Sequence, residues 1–304
     1  MTILIFGANG QVGRACQQEA KLRHMSAKVI NRSEVDLRNA GEAYSAIIKY
    51  QPTIVINAAA YTAVDKAESE PDIAKVINAT SPEKMAKACQ ILSIPLVQLS
   101  TDYVFDGKAQ HPYNEQDKTN PQNIYGHTKL QGENAVLNNC DKPLVLRTSW
   151  VFGLHGNNFV KTMLQLGADR EQLSIVADQI GCPTFANHIA ETIFDLAALY
   201  QTDNHLPWGV YHLTDREPTT WYKFACEIFT TGVAMNLLKY QPRLNPITTT
   251  EYPTPATRPS FSVLDCNKLE ALLERPMKLW HTGLKQVISS FKTSAEQHPQ
   301  GSRD

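Results

Sequence analysis

The chain has 304 residues, of which 19% are charged, and its formal net charge is -1 at pH 7. This length allows one large domain, or one large domain with a smaller partner. The near-neutral charge argues against nucleic acid or an anionic membrane as partner, and six scattered cysteines without metal-ligand spacing argue against structural zinc.

The chain opens on an apolar strand that runs into a glycine-rich turn. Gly7, Gly10 and Gly13 follow this strand with the spacing GxxGxxG, and a helical pattern continues to about Leu22. Such glycines allow a tight turn, let the backbone approach a pyrophosphate and place a helix N-terminus before the anion. Because strand, turn and helix occur in the required order, the stretch predicts a dinucleotide-binding site over a plain strand-to-helix turn.

Strand and helix patterns then alternate along the first half of the chain. They cover residues 27–31 (strand), 39–50 (helix), 53–56 (strand), 63–92 (helical, kinked or restarted at Ser81-Pro82), 95–99 (strand) and 143–147 (strand). This alternation predicts an α/β fold with a Rossmann-like, doubly wound parallel sheet. We expect an NAD(P)-binding domain over residues 1–150, and over 151–292 a smaller C-terminal lobe for substrate with some segments returning to the sheet. A polar, frayed tail is expected over 293–304.

The end of the second strand indicates which nicotinamide cofactor is used. In NAD-selective folds an acidic residue at this position holds the ribose 2′-hydroxyl and repels a 2′-phosphate. Here Asn31-Arg32-Ser33 follows the strand, and Arg32 can form charge-assisted bonds to a phosphate. The alternative is a solvated turn in which Glu34 and Asp36 neutralise Arg32. The pattern predicts NADPH in preference to NADH, with NADH still usable.

Two later strands end in residues suited to a ligand site. The small residues 57–60 leave room for a ligand at the sheet edge, although ordinary tight packing explains them equally well. Residues 95–99 deliver Ser100, Thr101 and Asp102 to the same edge. A polar loop of unusual length follows over residues 106–123, and such loops are commonly functional or mobile.

A tyrosine and a lysine four residues apart, Tyr125 and Lys129, come directly after this loop. At that spacing the two side chains lie on one face of a helix. A neighbouring ammonium lowers a phenol pKa, and bringing it from about 10 to neutrality takes roughly 4 kcal/mol of differential interaction. The spacing alone is more typical of a core tyrosine beside a solvated lysine.

Taken in order, these motifs resemble the extended short-chain dehydrogenase/reductase family. The glycine motif, residues 57–60, residues 100–102 and the Tyr125-x-x-x-Lys129 pair all match. Within that family the chain is similar to the dTDP-4-dehydrorhamnose reductases, and the match covers nearly the whole chain. It rests on residues 62–68, 100–105, 147–151, 156–159, 178–184 and 252–259.

The resemblance implies reduction of the C4 ketone of dTDP-4-dehydro-L-rhamnose to dTDP-L-rhamnose. Tyr125 would protonate the ketone oxygen, Lys129 would lower the Tyr125 pKa and bind the nicotinamide ribose, and Thr101 would donate to the same oxygen. Implied cofactor contacts are Gly10, Gln11 and Val12 with the pyrophosphate, Asp36 and Leu37 with adenine, and Ala60, Tyr61 and Thr62 with the nicotinamide-side ribose. Implied substrate contacts are Asp102 and Trp150 in the sugar pocket and Arg258 at the diphosphate. Thr101 as a turn cap and Arg258 as a surface ion pair are the plainer alternatives.

The chain departs from the family in one place. Some relatives carry a carboxylate soon after the third glycine that helps hold Mg2+ at a dimer contact, whereas Arg14, Ala15 and Cys16 stand here. A metal-bridged dimer is therefore not expected. We expect a monomer or weak homodimer in the cytoplasm, with a nucleotide sugar as partner and neither nucleic acid nor membrane.

Two other functions remain open from the sequence. A nucleotide-sugar reductase, epimerase or 4,6-dehydratase of other specificity shares the fold. A dehydratase of this family, however, has a sequence similar to Thr-Asp-Glu at the end of this strand, whereas this chain has Tyr103 after Asp102. A non-catalytic NADP-binding regulatory subunit also shares the fold, although such proteins can lose part of the catalytic set that is complete here.

Overall fold

The computed structural model describes the backbone of residues 2–297 and the side chains of residues 2–291. The strands are β1 (Thr2–Phe6), β2 (Ser26–Ile30), β3 (Ile54–Asn57), β4 (Leu96–Thr101), β5 (Pro143–Thr148), β6 (Val151–Phe152), β7 (Gln172–Val176), β8 (Ile180–Gly181), β9 (Thr184–Phe185), β10 (Gly209–His212), β11 (Thr219–Thr220) and β12 (Arg243–Ile247). The α-helices are α1 (Gln11–Leu22), α2 (Ala40–Tyr50), α3 (Val64–Ala67), α4 (Pro71–Lys75), α5 (Ser81–Leu92), α6 (Ile124–Asn139), α7 (Phe159–Asp169), α8 (Ala186–Asp203), α9 (Trp221–Ala234), α10 (Asn267–Leu273) and α11 (Trp280–Gln297).

Six strands form the central sheet, in the order β10-β5-β4-β3-β1-β2. Every neighbouring pair in this sheet is parallel. The chain order reverses between β1 and β3, and this is the position at which open α/β sheets bind ligands. The expected Rossmann-like α/β fold is confirmed.

Helices cover both faces of this sheet because its strands are apolar on both sides. In β1, Ile3 and Ile5 belong to a buried cluster with residues of α1 and α8, such as Ile189. Leu4 and Phe6 belong to the opposite cluster, with residues of α2, α5 and α6. Alternate side chains of a strand point to opposite faces, so the continuous apolar run of β1 is that of a strand buried on both sides.

A third buried cluster lies in the second half of the chain. It joins α7, α9 and α11 with β7, and contains Phe152, Leu164, Phe224 and Trp280. Since β10 and α8 belong to the main sheet layers, parts of the second half return to the first. The division near residue 150 stays a prediction. The tail expected from residue 293 begins inside α11, and residues 298–304 lie outside the described residues.

The helical segment expected over residues 63–92 is interrupted. It divides into α3, α4, a π-helical turn over Val76–Thr80 and α5. The break after α3 comes at Pro71, which begins α4 because it has no N–H to continue the preceding helix. The restart expected at Ser81-Pro82 is where α5 begins.

Candidate active site

The glycine loop between β1 and α1 is shaped by close backbone contacts. Gly7 has φ +84°, and a Cβ there would lie 2.6 Å from the Ala59 nitrogen. A Cβ on Gly13 would lie 2.1 Å from the Gly7 oxygen, whereas Gly10 has only that oxygen nearby, at 3.3 Å. No side chain caps α1, so its first N–H groups remain available to an anion. The loop fits a pyrophosphate.

Gln11 connects the glycine loop with the second half of the chain. Its Nε2 donates to the Val151 oxygen at 3.3 Å, and Asn158 Nδ2 donates to its Oε1 at 3.0 Å. Gly156 also approaches it, since a Cβ there would lie 3.2 Å from Gln11 Cγ. Val12, which follows, is buried in the sheet layer. The segment after β6 therefore lies against the loop.

The turn after β2 is organised by Asn31 and leaves Arg32 exposed. Asn31 Oδ1 accepts from the Ser33 nitrogen at 2.8 Å, and the Asn31 nitrogen donates to Glu34 at 3.2 Å. The Arg32 side chain is 69% exposed, with Asp36 3.9 Å away as an ion-pair partner. Two carboxylates therefore lie near the end of β2, and each is paired with a cation. Asp36 is the partner of Arg32, and Glu34 is the partner of Lys28, at 2.7 Å.

Asp36 is paired with the Arg38 guanidinium, and the neighbouring Leu37 is buried. Arg38 Nε donates to Asp36 at 2.8 Å, and this bonding lowers the pKa of Asp36 to about 2. The Leu37 oxygen accepts from Ser81 at 2.7 Å, which fixes the segment to α5. Both residues follow the carboxyl end of β2. Their contact with adenine stays a prediction.

Asn78, in the π-helical turn, holds the segment of Ala60, Tyr61 and Thr62 against α6. Its Oδ1 accepts from the Tyr61 nitrogen at 2.8 Å, while its Nδ2 donates to the Tyr61 oxygen and to Thr128, both at 3.1 Å. The sequence pattern carried no signal for Asn78, because its partners lie 17 and 50 residues away.

Thr101, Tyr125 and Lys129 meet where β4 ends and α6 begins. Asn123 caps α6 by accepting from the Gly126 nitrogen at 2.8 Å, and Lys129 Nζ donates to the Leu99 oxygen at 2.7 Å. The Tyr125 phenol is close enough to the Thr101 hydroxyl for that hydroxyl to favour its ionised form. All three side chains are buried. The strand end thus gathers two hydroxyls and an ammonium in one place.

Burial sets the protonation states of these groups. It raises the pKa of Tyr125 well above its usual value, against the smaller effect of the Thr101 hydroxyl. It lowers the pKa of Lys129 to about 8, against the attraction of Glu133. The net lowering expected for the Tyr125 pKa is wrong for this arrangement, because burial outweighs the effects that favour the phenolate. The contribution of Lys129, whose ammonium is bound to the Leu99 oxygen, stays a prediction.

Asp102, next to Thr101, is a buried carboxyl group without full pairing. Its Oδ1 accepts from Thr101 at 2.9 Å, and its Oδ2 has no hydrogen-bond partner of normal geometry among the described residues. Burial raises its pKa to about 6, although the neighbouring Ser262 and Thr101 hydroxyls oppose the shift. A carboxyl in this state can accept or donate a hydrogen bond to a sugar hydroxyl.

Trp150 stands at the same edge with its ring stacked on Trp221. The two ring centroids are 3.6 Å apart and the planes differ by 8°. Gly181 is required beneath the stack, since a Cβ there would lie 2.6 Å from the Trp150 ring. Trp221 lies 71 residues from its partner in the printed sequence, and no local pattern indicated the stack.

Arg258 reaches the site from the second half of the chain. Its Nη2 donates to Asp65 at 2.7 Å, which is the ion pair considered as an alternative for this arginine. Its Nη1, however, is buried without a partner among the described residues, and its Cζ lies 6.0 Å from the Tyr103 ring. A buried donor of this kind is left for a ligand.

The described residues contain no group of three or more His, Cys, Asp or Glu side chains that could hold a metal ion. Within the same part of the chain, no helix has the length and apolar character needed to cross a membrane. The oligomeric state, expected to be a monomer or a weak homodimer, stays a prediction. The expected cytoplasmic location also stays a prediction.

A protein-family model described as the RmlD substrate binding domain matches residues 1–293. The chain belongs to this family. The RmlD-family chain is 39% identical over 297 residues to a dTDP-4-dehydrorhamnose reductase of Salmonella typhimurium, covering 97% of the chain and 99% of that relative. The resemblance expected from the motifs is confirmed.

Solved structures give the same result for this RmlD-family chain. A dTDP-4-dehydrorhamnose reductase of Clostridium acetobutylicum superposes with a TM-score of 0.88 at 38% identity, covering 96% of this chain and 100% of the other. The Bacillus anthracis reductase, in complex with NADP, also has a TM-score of 0.88, at 35% identity and with 95% and 99% covered.

Proposed function

We propose that the chain reduces the C4 ketone of dTDP-4-dehydro-L-rhamnose to dTDP-L-rhamnose with NADPH. The observation that carries the proposal is the meeting of Thr101, Tyr125 and Lys129 at the end of β4. The dTDP-4-dehydrorhamnose reductases matched over nearly their full length support the same substrate and, through the NADP complex, the same cofactor.

The three side chains have complementary roles in ketone reduction. The bound nicotinamide supplies a hydride to C4 of the sugar. Burial keeps Tyr125 protonated at neutral pH, so its phenol holds the proton that the ketone oxygen requires. Thr101 donates a hydrogen bond to the same oxygen as negative charge develops there. Lys129, largely protonated below pH 8, stabilises the phenolate that remains and binds the nicotinamide ribose.

The cofactor lies along the carboxyl edge from β2 to β4. Gly7 and Gly13 shape the loop, and Gly10 closes it by donating its N–H to the Gly7 oxygen at 2.9 Å. Gly10, Gln11 and Val12 meet the pyrophosphate, Gln11 and Val12 through the backbone N–H groups of the first turn of α1. Asn31 and the exposed Arg32 bind the 2′-phosphate. The remaining contacts are Asp36 and Leu37 at adenine, and Ala60, Tyr61 and Thr62 at the nicotinamide-side ribose.

The substrate lies between the end of β4 and the second half of the chain. Asp102 bonds a sugar hydroxyl, since its Oδ2 has no partner among the described residues. Trp150 presents an indole ring at the same edge. Arg258 uses its unpaired Nη1 on the diphosphate, for which a guanidinium is well suited.

Tyr103 supports reduction over dehydration. It stands where a related dehydratase would carry a glutamate, and burial raises the pKa of its phenol to about 12. Such a phenol remains protonated and supplies no carboxylate to assist water elimination. The complete set of Thr101, Tyr125 and Lys129 likewise favours an enzyme over a regulatory NADP-binding subunit.

The test is oxidation of NADPH by the purified chain with dTDP-4-dehydro-L-rhamnose, with the sugar product identified by NMR. Tyr125→Phe should lower kcat by about 10²–10⁴ with little change in substrate affinity, because the phenol acts mainly in the transition state. Tyr240→Phe, at an exposed position, is the matched control and should retain kcat. Failure to consume NADPH would contradict the substrate assignment, and near-normal kcat in Tyr125→Phe would remove that residue from the mechanism.

A further inference from the structure

A buried ion pair joins α6 to β5 one turn beyond Lys129. Arg147 Nη2 donates to Glu133 Oε2 at 2.7 Å and Arg147 Nε donates to Glu133 Oε1 at 3.0 Å, so the ion pair is bidentate. The Glu133 side chain is 1% exposed and that of Arg147 is 5% exposed. Two charges buried to this degree persist only when each is fully paired.

Further contacts hold this pair in one geometry. Ser100, the parallel partner of Arg147 in the sheet, donates through its hydroxyl to Glu133 Oε1 at 2.5 Å. The Arg147 guanidinium also lies over the Phe105 ring, 5.1 Å from its centroid. The pair therefore fixes α6 against both β4 and β5. Of these two strands, β4 carries the candidate catalytic Thr101.

His212 of β10 stands behind Arg147 and adds no charge. Its Nε2 lies 3.4 Å from Arg147 Nη1, and its Nδ1 is paired with the Tyr113 oxygen at 2.9 Å. Burial, helped by the charge of Arg147, lowers the pKa of His212 to about 3. The imidazole is neutral at physiological pH, so Glu133 and Arg147 are the charged members of the network.

Lys129 and Glu133 are one helical turn apart on the same face of α6. The ammonium itself donates to the Leu99 oxygen of β4, while Asp102 at the end of β4 acts on the Tyr125 phenol. Among the described residues, Glu133 is the one whose charge opposes the effect of burial on the Lys129 pKa.

We propose that Glu133, held by Arg147, is a positioning residue that keeps Lys129 protonated and directed at the end of β4 near neutral pH. Its catalytic consequence rests on the proposed function of Lys129. Arg147 pairs with the Glu133 carboxylate in the core and holds it one helical turn from the lysine. The glutamate itself touches neither substrate nor cofactor.

The first test is the pH dependence of kcat with saturating NADPH and dTDP-4-dehydro-L-rhamnose. Activity should fall as pH rises through the pKa of Lys129, and Glu133→Gln should move this alkaline limb to lower pH by on the order of 1 unit. Glu133→Asp retains the charge, and Ser100→Ala removes one hydrogen bond without a charge, so both should leave the limb in place. An unmoved limb in Glu133→Gln, or one moved to higher pH, would overturn the proposal.

A second readout is independent of substrate. The quantity measured is the difference in unfolding free energy caused by Lys129→Met, once in the wild type and once in the Glu133→Gln variant. This difference should begin to rise at a lower pH in the Glu133→Gln variant than in the wild type. If this difference moves while the kcat limb does not, the charge effect holds and the catalytic role of Lys129 is contradicted. If it does not move, the inference itself is wrong.

Glu133→Gln leaves Arg147 buried without its partner, and this alone can prevent folding. The double variant Glu133→Gln/Arg147→Met removes both charges and avoids that cost. It should move the alkaline limb and the stability difference in the same direction but by less, because the loss of the Arg147 cation partly offsets the loss of the Glu133 carboxylate. Wild-type behaviour in the double variant would contradict the proposal.

Discussion

The buried state of Lys129 predicts a measurable contribution to stability at alkaline pH. Burial lowers its pKa from the usual 10.5 to about 8, so the unfolded chain binds more protons than the folded one between these values. The contribution of Lys129 to the free energy of unfolding must therefore rise with pH across this interval. Integrating the linkage relation from pH 7 to pH 10 gives a gain of about 2 to 3 kcal/mol for this one group.

The perturbation is Lys129→Met, which replaces the amine by an apolar side chain of similar length. Urea unfolding of wild type and variant, without cofactor and at constant salt, gives the difference in unfolding free energy at each pH. Buried cysteines such as Cys16, whose pKa burial also raises, are common to both proteins and cancel. Repeating the comparison in the Tyr125→Phe background removes coupling to the phenol.

The free energy of unfolding of the wild type should rise relative to that of the variant by about 1 kcal/mol between pH 7 and pH 9, and by about 2 to 3 kcal/mol between pH 7 and pH 10. A difference that stays flat would show that Lys129 titrates at its usual value in the folded chain. A difference that falls with rising pH would show that a carboxylate outweighs burial, and would reverse the account of this site.

Three further predictions concern the cofactor loop, the cofactor itself and metal. Wild type should prefer NADPH over NADH by about 10- to 150-fold in kcat/KM, and Arg32→Ala should abolish the preference; a retained preference would reject Arg32 as its cause. Gly13→Ala should weaken NADPH binding at least about tenfold in a fluorescence titration, because its Cβ would lie 2.1 Å from the Gly7 oxygen. Gly41→Ala in α2, with 3.6 Å of clearance, is its control and should bind normally. Activity should survive EDTA, since hydroxyl donors polarise the ketone, and loss reversed by Mg2+ would contradict this.

Five of the six strands of the central sheet could be predicted from the sequence because their signals are local, whereas β10 was not predicted. Each strand is a short apolar run, and the glycines after β1 require a specific turn whatever lies elsewhere in the chain. The Tyr125–Lys129 spacing likewise places two side chains on one helical face before any tertiary contact is known. These features are determined within about ten residues, and the structure confirms the fold they indicate.

The rest of the site depends on contacts between distant residues. Glu133 pairs with Arg147 across 14 residues, and Asn78 reaches Thr128 across 50. Local patterns contain no information on such pairs. The direction of the Tyr125 pKa was mispredicted for the same reason, because burial is a property of the packed fold whereas the spacing of Lys129 is a property of the helix.

The position of β10 at the edge of the sheet has a consequence for biosynthesis. β10 (residues 209–212) pairs with β5, and α8 (residues 186–203) covers the face of the sheet that includes Ile3 and Ile5. A nascent chain that ends near residue 150 would have an open β5 edge and an uncovered apolar face, both of which favour aggregation. The ribosome must therefore release more than two thirds of the chain before β10 can pair with β5 and this core can close.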